Sequence, residues 1–103
     1  MLIVTSKNGV PIRLTRERWE HIVRRHLEMA TEQERVLETV EEPEFIQRGD
    51  FGELLAVRPY EHTPLTRKLL VVVYREVTPG DGYVLAAYLT SRPSSRRATT
   101  WKH

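Results

Sequence analysis

The chain has 103 residues, 40% of them hydrophobic and 29% charged, a globular composition that leaves room for one core and excludes a disordered or fibrous protein. It contains no cysteine, which excludes a disulfide framework and thiolate metal sites and fits a reducing compartment. The formal charge of +2 permits a nucleic-acid partner without arguing for one.

No segment approaches the roughly 20 consecutive apolar residues that a membrane span requires, and Met1–Gly9 lacks the apolar centre of a signal peptide. The expectation is therefore a single cytoplasmic domain over residues 1–103, with no membrane contact. Charge is unevenly distributed. Arg13, Arg16, Arg18, Arg24 and Arg25 form one basic group and Arg92, Arg96, Arg97 and Lys102 another, while Glu32–Glu44 is mainly acidic.

Leu2–Thr5 and Ile12–Leu14 flank Lys7-Asn8-Gly9, whose Asn-Gly pair suits a left-handed turn, so residues 2–14 read as a β-hairpin. Thr15 can cap a following helix on which Trp19, Ile22, Val23, His26 and Leu27 make one apolar stripe, with Arg18, His21 and Arg25 on the other side. Thr31 and Glu34 have the spacing of a capping box for a second helix, which buries Val36, Leu37 and Val40 and is stopped by Pro43. Two helices are thus expected within residues 15–42.

Four strands are predicted next, over Glu44–Arg48, Glu53–Tyr60, Arg67–Arg75 and Tyr83–Ser91. Short turn-rich separators connect them, and the simplest arrangement within 44–91 is an antiparallel meander. Leu69–Val73 is apolar at both parities, as in a central strand covered on both faces. Residues 92–103 read as a polar tail. The expected architecture is α+β, with N-terminal helices packed on a four-stranded antiparallel sheet and a short β-hairpin in front.

His26 is the first candidate for chemistry, because a histidine near a helix C-terminus and facing a sheet has a tunable charge suited to acid–base work. A structural histidine bonded to a carbonyl is the other reading. His21 lies roughly opposite on the helical wheel and cannot easily aim at the same atom. The five-residue interval is not the spacing of helical metal ligands, and no metal or cofactor is expected. Arg58 and Tyr60 share a strand face with Lys68 across a hairpin, a patch that would suit a phosphate or would simply be solvated charge. Tyr88, Thr90 and Ser91 close the last strand, with Arg92 after them; they can hold a phosphate or position a leaving oxygen, or serve only as strand formers.

Several of these stretches resemble one known group of proteins. Leu14-Thr15-Arg16-Glu17-Arg18-Trp19-Glu20-His21-Ile22, Arg25-His26-Leu27-Glu28, Glu42-Pro43-Glu44, the strand with Arg58, Arg67-Lys68-Leu69-Leu70-Val71-Val72-Val73 and Leu85-Ala86-Ala87-Tyr88 are similar to the phage-type branch of the barnase, EndoU, colicin and RelE ribonuclease superfamily. The resemblance implies the same helices-on-sheet fold and metal-independent RNA cleavage by a toxin- or phage-associated hydrolase that a protein antitoxin or immunity protein neutralises. By position it implies catalysis by His26, Arg58, Lys68 and Tyr88, with His21 and Thr90 as alternatives for the histidine and the late polar residue. His21, Tyr60, Arg67, Thr90, Ser91 and Arg92 would contact RNA. A non-catalytic module binding RNA or protein is the alternative function.

Overall fold

A computed structural model describes residues 1–103. The elements in chain order are β1 (Leu2–Thr5), β2 (Pro11–Leu14), α1 (Arg16–Arg25), a 3₁₀ turn at Leu27–Met29, α2 (Gln33–Glu41), β3 (Phe45–Arg48), β4 (Leu54–Thr63), β5 (Thr66–Thr78), β6 (Asp81–Thr90) and β7 (Thr99–Lys102). No helix is long and apolar enough to cross a membrane.

All seven strands join one sheet in the order β1-β2-β6-β5-β4-β3-β7. The expected four-stranded antiparallel sheet is therefore corrected: the sheet is larger, and it is mixed because β2 runs parallel to β6. Two features of the sequence account for the difference. Gly82 opposes Ile12 in the β2–β6 pair, and a Cβ there would meet the Arg75 carbonyl oxygen at 2.5 Å and Ile12 Cδ1 at 2.6 Å, so the hairpin docks where a side chain is missing. The expected polar tail in turn leads into β7, whose Trp101 lies opposite Ile46 of β3.

The helix starts also differ from expectation in part. Thr15 caps α1 by accepting the Arg18 N–H at 3.1 Å. Glu32, not Thr31, is the N-cap of α2, and the Thr31 hydroxyl donates to the Glu32 carboxylate instead of accepting from a helix amide, so no capping box forms. Because α1 ends at Arg25, His26 becomes its C-cap, and Leu27 leaves the expected apolar stripe to lie 75% exposed. Arg18, expected on the side away from the apolar stripe, reaches the sheet, where its guanidinium donates to the Leu85 carbonyl of β6.

The main core lies between the helices and one face of the sheet, where Ile22, Met29, Val36 and Val40 meet Ile12, Leu14, Leu70, Val72, Tyr74 and Val84. Fully burying an aliphatic side chain of this kind contributes roughly 1.5–3 kcal/mol, so this layer supplies most of the apolar stabilisation. The other face carries a smaller cluster of Leu55, Val57 and Val71, with Phe45, Leu69, Val73 and Tyr88 against it. The segment between β6 and β7 passes to the far edge of the sheet, where the Ser94 carbonyl accepts from buried Gln47 at 2.8 Å and the Ala98 carbonyl from the Arg48 amide at 2.9 Å.

Candidate functional site

Residues directly opposite in an antiparallel pair share a face, and this rule sorts the candidate side chains. Tyr60 opposes Lys68, on the helix-covered face with Arg58. Tyr88 opposes Val71 and Thr90 opposes Leu69, on the other face. The sheet therefore separates Arg58, Tyr60 and Lys68 from Tyr88 and Thr90.

On the helix side the expected patch does come together, but its charges are already engaged. Arg58 donates to the Glu42 carbonyl at 2.6 Å and lies 3.7 Å from the Glu38 carboxylate. The Tyr60 hydroxyl donates to Glu38 at 2.6 Å, and the guanidinium carbons of Arg35 and Arg58 stand 4.7 and 5.7 Å from its ring centre. Burial first, and then the bond to Glu38, push the Tyr60 phenol up to about 12. These contacts fasten α2 to β4. Lys68 donates to the Ser91 hydroxyl at 2.6 Å, and Arg67 pairs at 3.4 Å with Glu61 on the exposed end of the hairpin.

On the opposite face the arrangement is more open. His26 follows α1 at the free edge of β6, and its ring centre lies 5.9 Å from that of Tyr88 with the planes tilted by 36°. Its Nδ1 stands 3.7 Å from the Glu28 carboxylate, and the histidine is partly exposed. Tyr88, Thr90 and Arg92 line a cleft of about 210 Å³ floored by Leu55 and Val71 and closed on one side by Gln47 and Arg97. Thr90 donates to the Arg92 carbonyl at 3.1 Å, while the Arg92 guanidinium is exposed and has no acidic partner. A phenol, a hydroxyl and an unpaired guanidinium thus line one cleft, with the His26 imidazole against the phenol, a set able to move protons and hold an oxyanion.

His21 stays on α1 among basic residues. Desolvation, followed by the charges of Arg18, Arg25 and Arg24, lowers its pKa below the ordinary imidazole value. No group of three or more His, Asp or Glu side chains is placed so that it could hold a metal ion.

Arg97 and Arg48 had no place among the sequence candidates. Arg97 belongs to a basic cluster that the sequence does display, but its position beside Thr90 depends on the formation of β7. Arg48 carries no sequence signal at all. Comparison of the chain with family models, curated proteins and solved structures found no match.

Proposed function

We propose that the protein is a metal-independent endoribonuclease acting on the sheet face opposite the helices. The observation that carries this reading is the approach of His26 to Tyr88, which itself lines a cleft that also presents Thr90 and the unpaired Arg92. His26 takes the proton of an RNA 2′-hydroxyl. The freed 2′-oxygen bonds to the adjacent phosphorus, and the bond from phosphorus to the 5′-oxygen breaks. That oxygen leaves with a proton from the Tyr88 hydroxyl, giving a 2′,3′-cyclic phosphate and a 5′-hydroxyl, and the imidazolium then passes its proton through solvent to the Tyr88 phenolate, which restores both groups.

Arg92 offers its fork of donors to the charge that builds on the phosphoryl oxygens, with Thr90 fixing their orientation. The attacking oxygen belongs to the substrate, so no activated water is required. Arg58 and Lys68 have no part in this version, since the sheet stands between them and Tyr88. A cytoplasmic setting, and a protein antitoxin or immunity partner covering the cleft, belong to the same reading.

The test is incubation of the purified protein with total RNA in EDTA, beside His26→Ala. Cleavage that survives chelation, leaves cyclic phosphate ends and disappears in the variant supports the proposal. Intact RNA at concentrations where the protein binds it would favour a non-catalytic RNA-binding module.

A further inference from the structure

Outside the proposed catalytic cleft, a concave concentration of positive charge lies where the segment after β6 meets the end of β3. Arg48, Asp50, Ser94, Arg96 and Arg97 line an open cleft of about 530 Å³ there. Only Arg97 has an acidic partner, Asp50 at 3.4 Å, and Asp50 is the one carboxylate in the lining. Arg48 and Arg96 are exposed and form no ion pair. This contrasts with the helix-covered face, where Glu38 lies beside Arg58 and Glu32 beside Arg35. Three guanidinium groups against one carboxylate make a site for more than one anionic charge.

Its position is equally informative. Ser94 and Arg97 line both this cleft and the one that holds Tyr88, Thr90 and Arg92, so the two adjoin along the segment. The backbone that shapes the junction is fixed by the bonds from Gln47 to the Ser94 carbonyl and from the Arg48 amide to the Ala98 carbonyl.

We propose that the Arg48–Arg96–Arg97 cleft is a second phosphate site, which holds the backbone of single-stranded RNA beyond the phosphate cleaved beside His26. The inference rests on the ribonuclease reading for the identity of the polymer. It makes the preferred substrate a strand of several nucleotides instead of a dinucleotide, because binding contributed by remote phosphates holds the reacting one in place.

The experiment measures binding of a labelled single-stranded 2′-O-methyl RNA of about twelve nucleotides, which cannot undergo 2′-attack, across a salt series. Arg48→Glu and Arg96→Glu each weaken binding roughly tenfold at low salt, as expected for loss of a charge-assisted contact. Each also reduces the slope of log affinity against log salt by about 0.7. Asp50→Asn, which releases Arg97, tightens binding. Arg16→Glu, an equal change of net charge at the start of α1, leaves the affinity as it was. Wild-type affinity in both cleft variants, or an equal loss in Arg16→Glu, overturns the proposal. Cleavage of ordinary RNA is assayed in parallel: binding that depends on Arg48 and Arg96 without any cleavage refutes the ribonuclease reading and upholds the phosphate site.

Discussion

His26 and Tyr88 meet with ring centres 5.9 Å apart although one ends a helix and the other lies on the sheet face turned away from that helix layer. The contact is made around the free edge of β6, beyond the short β2 pairing. His26→Ala is expected to lower RNA cleavage by roughly 10²–10⁴, the usual contribution of a general base. Its thermal midpoint should stay near that of the wild type, because the half-exposed ring fills no core space. Tyr88→Phe keeps the ring packing and removes only the hydroxyl, so cleavage should fall without loss of stability. A variant that lost both together would assign Tyr88 to packing.

Arg58 should behave in the opposite way. Its bond to the Glu42 carbonyl and its place beside Glu38 and Tyr60 hold the end of α2 on β4. Arg58→Ala is expected to cost about 1 kcal/mol, the typical net value of such a hydrogen bond, and to lower the urea midpoint accordingly. RNA cleavage per folded molecule should persist. If cleavage is lost while stability is retained, the phosphate cation is on the helix-covered side and the proposed face is wrong.

Tyr60 links stability to alkaline pH. Its folded pKa, about 12, lies above the usual phenol value of 10.0, so the folded state favours the neutral phenol. The stabilisation is fully present below pH 10 and is lost as pH rises through about 12. Burial pushes Tyr74 in the same direction, followed by the charge of Glu76. Unfolding by urea at a series of pH values should show stability declining above pH 10 in the wild type, and a shallower decline in Tyr60→Phe. Identical pH profiles would remove Tyr60 from the account.

Gly82→Ala tests the parallel junction. A Cβ at this position would meet the backbone carbonyl of Arg75, which cannot swing aside as a side-chain end can. Overpacking of this sort costs roughly 1–3 kcal/mol. Hydrogen exchange should accelerate most in β1 and β2 if the hairpin detaches, whereas a uniform loss of protection would mean that the hairpin is integral to the core.

The local signals in the sequence located much of the structure. Asn8-Gly9 marks the first turn, where Gly9 has φ +82°, and the apolar run Leu69–Val73 lies inside the long strand β5. The wider sheet was hidden because its added pairings join distant parts of the chain. Gly82 reads locally as a turn residue, and only the arrival of Ile12 shows that its missing side chain admits a neighbouring strand. Thr99–Lys102 is too short and polar to announce β7, yet β3 offers it an unpaired edge. The same limit applied to the candidate site. Spacing correctly grouped Arg58, Tyr60 and Lys68, and separately Tyr88 and Thr90, but which group faces the helices is decided by pairing register and a bulge between Val73 and Tyr74 in the β5–β6 pairing.

The order of the strands also bears on how the chain reaches this state. β4, β5 and β6 are joined by tight turns and can zip together with little loss of loop entropy, whereas β2 finds β6, and β7 finds β3, only after long loops have closed. The meander is thus expected to organise the folding transition state, with β1, β2 and β7 joining late. Substitutions in the late strands should then mainly accelerate unfolding and leave the folding rate nearly unchanged. The cleft beside Arg97 would be among the last parts of the molecule to assemble and the first to open.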